Sequence, residues 1–262
     1  MSFASIYSFY RFDRSIKGVA RFIQTRETKA FLREVLRTAR RRTQEIPAGA
    51  NFYRARIGYD EDEGQLVGLP AASMKPPADG AREGRANPKG IGCLYMATKR
   101  QTAMAEVRPW DGSMVSVATF KTVRLLRIAN LTTPRRRKRG PRMAGGYFRE
   151  PSPKERERHV WEDIDRAFAR PFARSDRSGD YAPTQIIAEL FKANGFDGVA
   201  YRSRLGPGHN IALFDVNAAE LYSCRPFEVT TSFHAGVEGL CFRFKQAGNA
   251  YWMASDNGKP AK

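Results

Sequence analysis

Gly84-Arg85-Ala86-Asn87-Pro88-Lys89-Gly90, Leu94-Tyr95-Met96-Ala97 and Thr98-Lys99-Arg100-Gln101-Thr102-Ala103-Met104-Ala105-Glu106-Val107 follow one another almost without interruption. They read as a turn, a short strand and a short helix. Two glycines and a proline shape the turn, which carries two cations, Arg85 and Lys89. Thr98 is the expected N-cap of the helix, with Gln101 three residues on completing a capping box. Pro109 ends that helix by Val107 or Arg108. Glu106 then falls near the helix C-terminus, where the macrodipole disfavours a negative charge. Ala103, one turn earlier on the same face, leaves space beside the carboxylate. The bland alternative is an exposed glutamate paired with Lys99 or Arg100. Read together, these groups suit a ligand that carries phosphates and a cationic ring.

Working outward, Asn51 to Gly58 reads as a strand in which Arg54 stands beside Phe52 and Tyr53. A guanidinium there is either a solvent-facing edge residue or a fork for a pyrophosphate. Tyr95 is either a core aromatic or a face offered to a planar cation. The turn at 84–90 allows close backbone approach to phosphate, but it is neither a Walker motif nor a dinucleotide fingerprint. Thr25 to Arg42 reads as an amphipathic helix, with Phe31, Val35, Leu36 and Ala39 on one side and Arg33, Arg37, Arg40 and Arg41 on the other. Tyr59 to Glu83 reads as a long loop. Met114 to Ile128 suggests one or two strands.

Pro134 to Arg142 is a basic loop, and Ser152-Pro153-Lys154-Glu155 is a helix start with a capping box. Thr184 is expected to cap a helix over Gln185–Ala193, with Gly195 as its C′ glycine. Phe196–Tyr201 and Asn210–Phe214 read as strands, and Gly239–Phe244 as a further strand in the tail. Ser203 lies between them outside any Gly-x-Ser-x-Gly elbow, which argues against a hydrolase nucleophile. Three histidines leave little material for a triad or a zinc centre.

The chain has 262 residues, 42% of them apolar, and a formal charge of +18. That charge implies an anionic partner: nucleic acid, an acidic protein or a phosphate-bearing small molecule. No helix-turn-helix, zinc-finger or RNP motif accompanies it, so nucleic-acid contact through the basic loop is the rival reading. Three widely spaced cysteines argue against a disulfide framework and fit a reducing, cytoplasmic setting. No long apolar run suggests a membrane span or a signal peptide.

Four stretches together resemble the RES domain family, named for its Arg, Glu and Ser. They are Phe52–Ala55; Gly84–Gly90 with Leu94-Tyr95; Thr102–Glu106; and Gly195–Ser203 with Asn210–Phe214. The resemblance implies an α+β, ADP-ribosyltransferase-like fold with a split mixed β-sheet core and surrounding helices. It divides the chain into an N-terminal helical extension (1–48), a catalytic domain (49–225) and a C-terminal extension (226–262). It further implies consumption of NAD+ as substrate with no cofactor required, by hydrolysis, by phosphorolysis with phosphate as co-substrate, or by transfer of ADP-ribose to a protein. The family's best-known members are toxins of toxin–antitoxin modules, so an antitoxin partner is implied. By motif position Arg54, Glu106 and Ser203 are the family Arg, Glu and Ser. Tyr53, Arg85, Lys89, Tyr95 and Asn210 are candidate substrate contacts, and Ala86 departs from a tryptophan found in many members. The N-terminal helix, outside the family core, could serve self-association or simply cover hydrophobic surface.

Overall fold

The computed structural model describes residues 2–77, 81–133, 151–170, 178–234, 240–248 and 251–252. Two helices come first, α1 (Ser8–Gly18) and α2 (Arg26–Ala39), and a short β1 (Thr43–Ile46) follows. Then come β2 (Asn51–Ile57), the hairpin β3 (Asp60–Asp62) and β4 (Gln65–Val67), α3 (Ala71–Met74), β5 (Leu94–Ala97) and α4 (Arg100–Glu106). After them run β6 (Met114–Thr122), β7 (Leu126–Asn130), α5 (Pro153–Ala169) and α6 (Ala182–Ala193). The chain continues through β8 (Gly198–Arg202), β9 (His209–Leu213), β10 (Ala219–His234), β11 (Leu240–Gln246) and β12 (Tyr251–Trp252).

Nine strands form one sheet in the order β1-β7-β8-β9-β5-β2-β6-β10-β11, and β12 adds to β10. Among the described strands of this sheet only β7 and β8 run parallel; the other neighbours are antiparallel. The α+β class and the mixed sheet with surrounding helices are as the sequence implied. The sheet is weakest at its middle. β2 meets β5 through the single pair Tyr53↔Ala97, whereas β2 pairs with β6 over seven residues and β5 with β9 over four. That seam is where the two halves separate, and a cleft opens there.

Alternation along β8 and β9 sorts the core into two layers. Val199, Tyr201 and Ala212 join α1, α2, α5 and α6 in one cluster. Ala200, Ile211 and Leu213 face the other way, with Leu94, Met96, Phe120, Leu126 and Met74. The N-terminal helices therefore share one core with α5, α6, β8 and β9. Phe12 stacks on Phe31 at 4.6 Å between ring centres, and Val35 and Ala39 are fully buried while Arg33, Arg37, Arg40 and Arg41 are exposed. This is the basic-faced helix packed on the main body that the 25–42 periodicity describes.

Several local expectations need correction. Thr98 does not cap α4. Its hydroxyl instead accepts from His209 N at 3.0 Å and lies 3.3 Å from His209 O, tying the start of the helix to β9; α4 begins at Arg100 with Lys99 as an uncapped N-cap. Thr184 does not cap α6 either. Pro183 suits the first turn, so the helix starts earlier, at Ala182, and the Thr184 hydroxyl donates to Tyr181 O at 2.9 Å. The 59–83 loop contains the β3–β4 hairpin, closed by Glu63 (φ 48°) and Gly64 (φ 75°), a two-residue turn in the left-handed region. It also contains α3, anchored by the fully buried Met74. The boundary expected at 225 falls inside β10, which crosses it unbroken. Pro226 is tolerated because it sits where β10 passes from pairing with β11 to pairing with β12.

Other signals were local and held. Ser152 and Glu155 form the reciprocal capping box of α5 at 3.3 and 2.8 Å. Gly195 (φ 77°) closes α6: its N–H donates to Lys192 O and that of Phe196 to Phe191 O, a Schellman motif that delivers the chain into β8. The basic loop at 134–142 lies outside the described residues.

Candidate active site

Five elements bring the site together at the seam. β2 supplies Tyr53 and Arg54, β5 supplies Tyr95, α4 supplies Glu106, and β8–β9 with their connecting loop supply Tyr201, Ser203 and Asn210. Arg54 spans the seam: its Nη1 donates to Tyr95 O at 2.8 Å. Its Nε is buried and has no hydrogen-bond partner, and no carboxylate pairs with it among the described residues. Burial, and then repulsion from Arg56, push its pKa down to about 10. A desolvated guanidinium without a counter-ion is costly in the free protein, and an anionic ligand would relieve it.

Glu106 is the last residue of α4, with its carboxylate held on one side only. Oε1 accepts from Ser203 Oγ at 2.8 Å and from Asn210 Nδ2 at 2.7 Å. Oε2 has no hydrogen-bond partner among the described residues, and the residue is exposed toward the cleft. Neither Lys99 nor Arg100 pairs with it; Arg100 instead lies 5.4 Å from the centre of the Tyr53 ring. The Ser203 hydroxyl accepts from Leu205 N at 3.1 Å and Gly206 N at 3.2 Å while it donates to Glu106. Ser203 is thus an orienting group whose proton is committed. The loop after it lies directly on α4: a Cβ at Gly206 would stand 2.8 Å from Thr102 Cα.

The 84–90 turn is locked from beneath. Tyr95 Oη donates to Asn87 Oδ1 at 2.7 Å and accepts from Ala86 N at 2.8 Å. Asn87 Nδ2 donates to the carbonyls of Arg82, Pro88 and Ile91, and Gln185 Nε2 to those of Gly84 and Asn87. A Cβ at Gly84 would fall 2.4 Å from Tyr95 Oη, so only glycine permits this approach. The turn presents Arg85, which is buried with its guanidinium 4.5 Å from the Tyr181 ring centre. Lys89 is exposed on the turn and is not brought to the cleft.

Two chambers meet at Glu106. One, about 260 Å³, is lined by Tyr53, Arg54, Tyr95 and Ala103; the other, about 290 Å³, by Arg85, Phe168, Arg170 and Tyr181. Glu106, Tyr201 and Asn210 line both. Ligand sites usually span about 300–1,000 Å³. Neither chamber reaches that range alone and the two together do, so Glu106 stands at the waist of one bipartite site. Arg54 and Arg85 occupy opposite sides of that waist. The sequence reading missed Tyr201, Tyr181 and Phe168. For Tyr201 a signal existed: alternation places 201 on the same face of its strand as 203. No group of three or more His, Cys, Asp or Glu suited to a metal occurs among the described residues, and no helix among them is long and apolar enough to cross a membrane.

Burial also sets the alkaline limit of the fold. It pushes the Cys93 and Cys224 thiols from 9.0 up to about 12, and raises the Tyr95 and Tyr201 phenols well above their usual range. The unfolded chain releases these protons first, so stability is intact below about pH 9 and is lost progressively above it. Arg54 acts in the opposite sense above about pH 10, because the folded state sheds a costly charge there. One base does not reverse four acids. The melting temperature should therefore fall between about pH 9 and 11; a flat profile would contradict this burial.

Among curated proteins, none matches the chain at a significant level. A crystal structure of the M. tuberculosis MbcT–MbcA toxin–antitoxin complex contains a chain that is 14% identical, with 72% of this chain and 90% of that one covered at a TM-score of 0.39. The family model of the RES domain matches residues 53–235, from the strand that carries Arg54 through the long β10. With most of its length matched, and with the Arg, Glu and Ser of that motif gathered at one cleft, the chain belongs to the RES domain family.

Proposed function

We propose that the cleft binds NAD+ and breaks the bond between nicotinamide and ribose, and that the chain is a toxin that depletes NAD+ and is held in check by an antitoxin. One observation carries this reading. Among the described residues, a cation without a counter-ion, Arg54, shares a chamber with a carboxylate, Glu106, that is anchored by one oxygen and open at the other. Such a site matches a ligand that is anionic at one end of a sugar and becomes cationic at the other.

The chemistry asks little of the protein beyond electrostatics. The C1′–N bond breaks with its electron pair on the pyridine nitrogen, so nicotinamide leaves neutral and needs no acid. The ribose becomes oxocarbenium-like, as in glycoside cleavage. A fixed carboxylate stabilises that charge more than the ground state, and Glu106 fills this role. Ser203 and Asn210 hold it in place, Arg54 grips the pyrophosphate, and the aromatic walls flank the rings. Water then forms the new C1′–O bond and releases its proton to solvent, or an anionic phosphate oxygen forms that bond with no proton to lose.

The test uses purified protein and NAD+ labelled in the adenine. Nicotinamide release with free labelled ADP-ribose supports hydrolysis, and a phosphorylated product that depends on added phosphate supports phosphorolysis. Label fixed on a protein would move the reading to ADP-ribosyl transfer at the same site. Absence of nicotinamide release would overturn it.

A further inference from the structure

Tyr201 is paired with Asn210 across β8 and β9, and both side chains reach the waist where Glu106 stands. Only 7% of Tyr201 is exposed, and its hydroxyl, which forms no hydrogen bond to protein among the described residues, is not fully buried but opens on the cleft. Phenols on rings packed this deeply ordinarily find a protein partner. The ring cannot easily turn to seek one elsewhere. It packs against Phe168 at 5.7 Å, and the next residue is clamped by a fully buried carboxylate. Asp165 accepts from Arg202 N at 3.1 Å and from Arg202 Nε at 2.6 Å, as well as from Thr133 N and Oγ1 at 3.1 and 3.0 Å. This ion pair, with Asp165 fully buried, fixes the strand that aims the Tyr201 hydroxyl at the cleft.

The phenol has one available role. Burial first, and then the negative charge of Glu106, keep it protonated far above neutral pH. It is therefore a permanent donor beside an acceptor, since Oε2 of Glu106 is open. A vicinal diol, such as that of a ribose, asks for this complement: one hydroxyl donates to the carboxylate while its neighbour accepts from the phenol.

We propose that Tyr201 is a further catalytic residue, whose hydroxyl donates a hydrogen bond to a ribose hydroxyl oxygen while Glu106 accepts from the adjacent one. This rests on the NAD+ reading and adds a ligand contact to it.

The test is Tyr201→Phe, which removes one oxygen and keeps the ring. ADP-ribose, which carries the diol without the scissile bond, serves as the binding probe by calorimetry. The variant should bind it about tenfold more weakly than the wild type and lose a similar factor in kcat/KM for nicotinamide release. Its melting temperature should be close to that of the wild type, because the hydroxyl opens on the cleft and makes no hydrogen bond to protein among the described residues, so its removal leaves no group unpaired. Equal affinity for ADP-ribose in both proteins would overturn the assignment, and so would a clear drop in melting temperature, the mark of a structural hydroxyl. A wild-type protein that binds no ADP-ribose would instead defeat the NAD+ reading itself.

Discussion

Glu106→Gln should lower kcat for nicotinamide release by about a hundredfold or more, with KM and melting temperature close to wild type. Glutamine keeps the anchor: its carbonyl oxygen can still accept from Ser203 and Asn210, as Oε1 does at 2.8 and 2.7 Å. What changes is the open side, where a neutral amide that donates replaces an anion that accepts. Ground-state binding is little affected, whereas stabilisation of the developing oxocarbenium charge is lost. That difference between the two states is what the rate measures. Steady-state kinetics with NAD+ over a range of concentrations separates kcat from KM. Wild-type turnover in this variant would remove Glu106 from the mechanism.

Arg54→Ala should act on binding. Charge-assisted hydrogen bonds to phosphate typically contribute about 1.5–3 kcal/mol, so KM should rise about tenfold to a hundredfold. Lysine at 54 should restore the charge without the fork, and so only part of the affinity. The same substitution carries a signature in stability. Among the described residues Arg54 has an unpartnered Nε and no counter-ion, so its removal should leave the melting temperature unchanged or raised despite the loss of one bond to Tyr95 O. An unchanged KM, or a strongly destabilised protein, would mean that the guanidinium is structural.

How far the sequence reached can be seen residue by residue. β5, β8 and β9 were legible because each is a short, mostly apolar run near turn residues, β2 because aromatics flank Arg54 between Gly49 and Gly58, and the start of α5 because the capping box is a purely local pattern. Arg54, Glu106, Ser203 and Asn210 were found through the family motif, and the structure brings them to one cleft. Helix position alone favoured an exposed ion pair for Glu106. What failed depended on distant partners. Thr98 looked like a cap until β9 offered it His209. Pro226 looked like a boundary because the gap between β11 and β12 that accommodates it is a tertiary feature. α1 was not marked at all; its aromatics gain a partner only when Phe12 meets Phe31. Lys89 and Arg85 read alike as cations on one turn, yet the lock between Tyr95, Asn87 and Gln185 buries one and leaves the other in solvent.

The most direct trial of the account is a crystal structure of Glu106→Gln with NAD+ bound. The account predicts the residue-106 amide about 3 Å from a hydroxyl of the nicotinamide ribose, with Arg54 on the pyrophosphate and the scissile bond at the waist between the chambers. A dinucleotide seated elsewhere, with residue 106 turned to solvent and Arg54 still without an anion, would contradict it.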